Sequence, residues 1–270
     1  MKSKGYEVEI ICTGYEVLYG RIVDTNSTWL AKQATEHGAA MQRIVCVGDD
    51  IEEIKRAIRE GIAWGYDLIL TTGRLGPTPD NLTIEAIAEA LGLRVVIDDR
   101  SLTILKRRLE ERYKAQGTSL ELTPRRLKMA TIVQGATPID NPVGLAPAME
   151  LGVGKTLIIS LPGVPEEMKA IFQGHVLPII DKMSTRRVIA TTLRIALSGE
   201  HLAEVVQEME KAFTAVYVKT YAGNVVPSLG TRTDILIEGT NENECRQILE
   251  KVLDVVASSV SAKGGKWRIE

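Results

Sequence analysis

The chain has 270 residues, with 33 Lys or Arg against 35 Asp or Glu, so its formal net charge is −2. A hydrophobic fraction of 44% and a charged fraction of 25% are typical of a globular protein and exclude a wholly disordered chain. The near-neutral charge disfavours a protein that holds nucleic acid by its phosphates, and no apolar run is long enough to span a membrane. The N-terminus has no apolar signal core, so we expect a cytoplasmic protein.

The first half of the chain alternates predicted strands and helices. Short apolar runs predict strands at residues 8–12, 44–47, 67–72 and 93–97. Capping residues and amphipathic spacing predict helices at residues 25–37, 51–62, 83–91 and 101–115. This alternation predicts a parallel sheet covered by helices on both faces.

The pattern changes in the second half. Two strands are predicted at residues 145–151 and 156–160, and Pro165 suits the first position of a helix. Beyond residues 184–187 the predicted order is strand, helix, strand, strand, helix and a last strand near Trp267, which suits a small ferredoxin-like α+β domain. We therefore predict an α/β domain at residues 1–182 and an α+β accessory domain at residues 186–270.

The loop from Gly73 to Asn81 is the first candidate for a ligand site. It follows a predicted strand, and ligands of open α/β sheets bind beyond the carboxyl ends of strands. Its glycines let the backbone approach a ligand, and the helix that follows directs its N-terminus to the same place, which favours an anion. A tight turn with no ligand role is the alternative.

Acidic side chains in three loops are candidates for holding a divalent cation. They are Glu16, Asp49 and Asp80. Asp50 has the spacing of a helix cap, which we favour over a metal role. Three cysteines and three histidines show no zinc-site spacing, and the Gly-Lys-Thr at residues 154–156 fits a hairpin turn better than a phosphate-binding loop.

Four segments together resemble the motifs of one family. Residues 14–20 with 24–26 resemble its G-T-E-L-L-x-G and N-T-N segments, and residues 47–49 match V-G-D. Residues 72–83 resemble T-G-G-L-G-P-T-x-D-D-x-T, and residues 141–147 with 161–168 resemble N-P-x-G-x-A-P-G and L-P-G-V-P-x-E-M. The chain is thereby similar to the CinA family, whose N-terminal domain has the molybdopterin-binding fold of MoaB and MogA.

The resemblance implies a three-layer α/β/α molybdopterin-binding-like domain followed by a small ferredoxin-like α+β domain. It also implies a phosphate-bearing ligand, ADP-ribose-like or a pterin, and a metal-dependent ADP-ribose pyrophosphatase activity. The implied catalytic residues are Asp80 and Asn81, and the implied metal ligands are Asp80, Asp49 and Glu16. The implied ligand-binding residues are Gly14, Glu16, Gly73, Arg74, Gly76, Pro77, Thr78, Thr83, Asn141, Gly144, Pro162 and Gly163.

Two departures from the family pattern keep a second hypothesis open. Arg74 stands where the family has its second glycine, and Asn81 stands where it has its second Asp. An amide is a poorer ligand for a hard cation than a carboxylate, so the site is either a metal-dependent hydrolase or a non-catalytic module that binds a nucleotide or molybdopterin. We expect a divalent metal cofactor with molybdopterin as the alternative, a homo-oligomer, and no nucleic-acid or membrane partner. The sequence ends at Glu270, so we do not expect the deamidase domain that many CinA proteins carry.

Overall fold

The computed structural model describes residues 5–76, 82–116, 122–226 and 230–270. Its strands are β1 Glu7–Thr13, β2 Ala40–Val47, β3 Leu68–Thr72, β4 Val95–Ile97, β5 Thr131–Val133, β6 Thr137–Ile139, β7 Ala148–Val153, β8 Thr156–Leu161, β9 Arg187–Ala196, β10 Val216–Val226, β11 Gly230–Gly239 and β12 Lys266–Ile269. Its helices are α1 Tyr15–Leu18, α2 Thr25–Glu36, α3 Ile51–Trp64, α4 Thr83–Leu91, α5 Asp99–Gln116, α6 Pro124–Lys128, α7 Pro165–Ile171, α8 Leu177–Met183, α9 Gly199–Ala212 and α10 Glu242–Ala262. A π-helical turn, Phe172–Val176, joins α7 to α8.

A six-stranded sheet forms the centre of the first part of the chain, in the order β2-β1-β3-β8-β7-β6. The first four strands are parallel, and β7 and β6 are antiparallel to their neighbours. The predicted strand at residues 93–97 does not join this sheet: β4 pairs only with β5 in a separate antiparallel pair. The predicted α/β fold is confirmed, but the sheet is mixed because a tight turn at Gly154, with φ 59°, reverses the chain between β7 and β8.

Helices cover both faces of this sheet, which makes it the middle of three layers. Successive side chains of a strand point to opposite faces, so Ile10 packs with Leu30 and Phe172 on one face, while Ile11 packs with Ile54 on the other. Asp50 caps α3 by accepting hydrogen bonds from the backbone N–H groups of Glu52 and Glu53. The cap interpretation of Asp50 is therefore confirmed, and Pro165 begins α7 as predicted.

A second compact unit comprises Ser184–Glu270 together with Thr35–Gly38. Its sheet has the order β10-β11-β9-β12 with every neighbouring pair antiparallel, and α9 and α10 follow β9 and β11 in the chain. Apolar side chains of both helices share one core with the sheet, among them Val205, Val256 and Ile235. This is the predicted ferredoxin-like arrangement. In the part of the chain that the structure describes, no helix is both long and apolar enough to cross a membrane.

Candidate functional site

A cleft of about 780 Å³ lies at the carboxyl ends of the parallel strands β1, β3 and β8. Its lining combines the residues after β1, the start of α2, the residues after β3, parts of α5 and α6, and the segment that joins β8 to α7. Ligands of open α/β sheets bind at this edge, and the volume suits a nucleotide-sized molecule. Six of the residues predicted to bind a ligand line it: Glu16, Gly73, Arg74, Gly76, Pro162 and Gly163.

Threonines fix the backbone at the floor of the cleft. The Thr83 hydroxyl donates to the Gly73 carbonyl at 3.1 Å, and the Thr13 hydroxyl donates to the Thr72 carbonyl at 3.3 Å. Gly73 has φ 112°, and a Cβ there would lie 2.7 Å from the Thr13 carbonyl oxygen. Glycine is therefore required at this position, and buried Thr83 supports the loop from below without lining the cleft.

Asn26 connects two of the loops and was not among the predicted site residues. Its Nδ2 donates to the Thr72 hydroxyl at 3.2 Å and to the Gly163 carbonyl at 2.9 Å. Its buried Oδ1 accepts no hydrogen bond from the described residues, although Asn26 lines the cleft. The sequence signal was present, since Asn26 closes the N-T-N-like segment that carries the family resemblance.

Glu16, Asp49 and Arg74 meet in a group that we call the cleft cluster. The Arg74 Nη2 lies 2.6 Å from the Glu16 Oε2 and 2.7 Å from the Asp49 Oδ2, and the Arg74 Nε lies 2.6 Å from the Asp49 Oδ1. Asp49 also accepts a hydrogen bond from the Tyr15 backbone N–H at 3.2 Å. Two of the three predicted metal ligands thus converge in space, and both contact a guanidinium.

Arg74 has an unusual backbone. Its φ of 59° makes it the only non-glycine residue with positive φ in the described part of the chain. Side chains other than glycine adopt this left-handed conformation at a cost of about 1–2 kcal/mol, and such strain clusters at functional sites. The position therefore suits the glycine of the family pattern, and the arginine is retained at a conformational cost.

The cleft cluster does not fit a divalent metal held between Glu16 and Asp49. A hard cation needs several unengaged oxygen ligands, whereas both carboxylates already contact Arg74. Among the described residues, no group of three or more His, Cys, Asp or Glu side chains is placed to hold a metal ion. The predicted residues Pro77, Thr78, Asp80 and Asn81 lie outside the described residues, so the roles expected of them stay predictions.

Two further arginines, Arg112 of α5 and Arg126 of α6, line the cleft and were missing from the predicted site. The signal was in the spacing of α5: Leu102, Leu105 and Leu109 form its apolar stripe, and Arg112 occupies the next position of that stripe. Arg112 itself is exposed, so its guanidinium is accessible to a ligand in the cleft. Exposed apolar side chains, Ile22, Val23 and Val164, line the same cleft.

Asn141 supports the cleft from outside its lining. Its Nδ2 donates to the Ala146 carbonyl at 2.9 Å and to the Glu167 Oε2 at 2.7 Å, while its Oδ1 accepts from the backbone N–H of Gly144 at 2.8 Å. These bonds position Glu167, which lines the cleft. Gly144 and Gly14 do not line it either, so the direct ligand contacts predicted for these three residues remain predictions.

Among the residues that the structure describes, Cys12 is the one thiol in the lining of this cleft. Burial, followed by the neighbouring Asp24 and Cys46, raises the pKa of the Cys12 thiol far above its usual value. A neutral thiol is a poor nucleophile, so Cys12 belongs to the floor of the cleft rather than to its chemistry.

Comparison with known proteins identifies the kind of domain that carries this cleft. Residues 9–182 match the family described as "Probable molybdopterin binding domain". A protein of Pyrobaculum aerophilum, PAE0875, is 36% identical over 263 residues, which is 95% of this chain and 95% of that protein. A CinA-like protein of Myxococcus xanthus is 40% identical over 173 residues, covering 64% of this chain and 39% of that longer protein.

A solved structure agrees with these relatives. The crystal structure of the protein CinA, of unknown function, from Thermoplasma acidophilum is 38% identical and matches with a TM-score of 0.58, covering 64% of this chain and 98% of that chain. The chain therefore belongs to the CinA family, and residues 9–182 form a domain of the molybdopterin-binding domain family.

Proposed function

We propose that the cleft binds a small molecule in which a flat heteroaromatic ring is joined to one or more phosphates, as in a nucleotide or a phosphorylated pterin. The observation that carries this proposal is the presence of Arg112 and Arg126 in the same cleft as exposed Ile22, Val23 and Val164. The cleft then offers two kinds of contact: basic groups for phosphate and apolar groups for a ring.

Each part of such a ligand has a matching group in the cleft. Guanidinium groups bind phosphate oxygens through two parallel charge-assisted hydrogen bonds, which favours arginine at phosphate sites. Exposed branched side chains bury the face of a ring.

Hydrolysis of the diphosphate of ADP-ribose is the second candidate, and Glu167 favours it. Its carboxylate lies in the same cleft and is held by the Asn141 Nδ2 at 2.7 Å. A positioned carboxylate can accept a proton from the water that attacks a phosphate. In the binding module, the same carboxylate only accepts hydrogen bonds from the ligand.

Titration calorimetry with ADP-ribose, ADP, adenosine and a phosphorylated pterin tests the proposal. We expect the phosphorylated ligands to bind and adenosine to bind at least tenfold more weakly, since it lacks the phosphate that the arginines contact. Failure of every phosphorylated ligand to bind would overturn the proposal.

A product assay separates the two candidates. The protein is incubated with ADP-ribose and Mg²⁺ or Mn²⁺, and AMP and ribose 5-phosphate are measured. Turnover that Glu167→Gln abolishes would establish the hydrolase, whereas binding without products would establish the module. Glu166→Gln is the matched control, because Glu166 is a neighbouring glutamate that does not line the cleft.

A further inference from the structure

We propose that Arg74 is a built-in cation of this site. Its guanidinium takes the place between Glu16 and Asp49 where a divalent metal would be expected, so the cleft binds its phosphate-bearing ligand without a metal at that place. The identity of the ligand rests on the proposed function. That Arg74 lies between the two carboxylates in place of a metal does not depend on which ligand binds.

The geometry of the cleft cluster places one guanidinium against both carboxylates. One guanidinium contacts both oxygens of Asp49, at 2.6 and 2.7 Å, and one oxygen of Glu16 at 2.6 Å. The Asp49 side chain is only 11% exposed, so it requires a counter-charge that water does not provide. The chain itself supplies this counter-charge.

The same contacts exclude a second cation from these oxygens. Mg²⁺ and Ca²⁺ bind oxygen atoms at about 2.0–2.6 Å, so either ion at Asp49 would lie directly beside the positively charged guanidinium. Like charges at this separation repel strongly where water is scarce. A metal could bind the carboxylate pair only after Arg74 had left.

The backbone of Arg74 supplies an independent argument. At φ 59°, glycine would adopt the backbone conformation without strain, whereas an arginine is strained. The ion pairs across residues 16, 49 and 74 explain why the strained residue is held in place. The side chain therefore acts as part of the site and is not a neutral replacement of the glycine in the family pattern.

Titration of Mn²⁺, followed by electron paramagnetic resonance, tests this inference without any ligand. Wild type is compared with Arg74→Gly, Arg74→Lys and the double variant Arg74→Gly/Glu16→Gln. We expect Arg74→Gly to bind Mn²⁺ at least tenfold more tightly than wild type, since it frees both carboxylates, and the double variant to lose this gain. Arg74→Lys keeps the charge and should resemble wild type.

Arg112→Gln is the matched control, because it removes the same charge from the same cleft without freeing Glu16 or Asp49. Equal Mn²⁺ affinity of wild type and Arg74→Gly would overturn the inference, as would an equal gain in Arg112→Gln. If Arg74→Gly does not fold, Glu16→Gln in the wild-type background still decides: loss of a tight Mn²⁺ site contradicts the inference, and unchanged Mn²⁺ binding supports it.

A second arm uses ADP-ribose. We expect its dissociation constant to agree within about twofold in EDTA and in Mg²⁺, and binding that EDTA abolishes would overturn the inference. If ADP-ribose fails to bind in either condition, the proposed ligand is wrong, while the Mn²⁺ titration still decides the role of Arg74.

Discussion

The cleft cluster of Glu16, Asp49 and Arg74 contrasts with an ion cluster in the C-terminal unit. That second group, which we call the sheet cluster, centres on Asp234, which accepts hydrogen bonds from the Thr192 hydroxyl at 2.8 Å, the Tyr221 hydroxyl at 3.0 Å and the Arg232 Nε at 3.1 Å. Register pairs Asp234 with Thr192 and Arg232 with Tyr221 on neighbouring strands, so strand pairing brings these side chains together just before the register of β10 shifts after Tyr221.

The cleft cluster has no such regular origin. Its members come from α1, from the residue before the cap of α3, and from the loop after β3, and Arg74 has a strained backbone. Strained residues persist where the surrounding structure holds them, and they concentrate at functional sites. The comparison shows that similar ion pairs can arise in different ways: the sheet cluster follows from strand pairing, and the cleft cluster holds a strained residue in the cleft that we propose binds a ligand.

The largest effect is expected in ligand binding. Arg112→Gln/Arg126→Gln should weaken ADP-ribose binding about 100-fold, because each lost charge-assisted contact costs about tenfold or more. Arg232→Gln in the sheet cluster removes one charge outside the cleft and should leave the affinity unchanged. Calorimetric titration measures both, and equal losses in the two variants would remove the functional distinction between the clusters.

Removing the arginine of either cluster should lower the free energy of unfolding, but by unequal amounts. Arg74→Met leaves Asp49, at 11% exposure, without its counter-charge and should lower the free energy of unfolding by about 2 kcal/mol. Arg232→Met should lower it by less than about 1 kcal/mol, since Arg232 is 43% exposed and screened by solvent. Urea unfolding curves measure the difference, and a larger loss for Arg232→Met would contradict it.

The effect of backbone strain at Arg74 can be measured separately from the effect of its charge. Arg74→Gly and Arg74→Met both remove the guanidinium, but only glycine adopts φ 59° without strain. The glycine variant should therefore be more stable than the methionine variant by about 1 kcal/mol, measured by urea unfolding. The same pair of substitutions at Arg232, which lies in a regular strand, should give the reverse order, because glycine weakens strands.

The contribution of the sheet cluster to the stability of the fold should depend on pH. Burial opposes ionisation of Asp234, but hydrogen bonds from Arg232, Thr192 and Tyr221 outweigh it and lower the pKa of this carboxyl group below its usual 3.8. A lowered pKa stabilises the fold above the pKa of the unfolded chain, and this stability is lost as the pH falls through the folded pKa.

Asp234→Asn should therefore cost about 0.5–1 kcal/mol of unfolding free energy at pH 7, given the partial exposure of the cluster. The difference from wild type should shrink below pH 3.8. Unfolding curves at pH 7 and pH 3 check this, and a gap that persists undiminished at pH 3 would show that the charge of Asp234 is not its source.

Regular elements were predictable because their signals are local. The apolar run of β1, the Asp50 cap and the first-turn Pro165 each specify structure through neighbours in sequence, and the structure has all three. The ferredoxin-like order of the second unit was predictable for the same reason. The strand at residues 93–97 was placed in the wrong sheet, since an apolar run does not specify its pairing partner.

The site was only partly predictable because its contacts are distant in sequence. The resemblance located Glu16, Asp49 and the Gly73 loop, but no local signal shows that Arg74 adopts positive φ and contacts two carboxylates. Arg112 was missed because nothing in the sequence of α5 shows that this helix lies beside a cleft formed by loops distant in sequence.

The decisive measurement is a crystal structure of the protein grown with ADP-ribose. We expect a phosphate within hydrogen-bonding distance of the guanidinium groups of Arg112 and Arg126, the ring against Ile22, Val23 or Val164, and Arg74 still between Glu16 and Asp49. A ligand bound outside this cleft, or a metal ion between Glu16 and Asp49 with Arg74 displaced, would contradict this expectation.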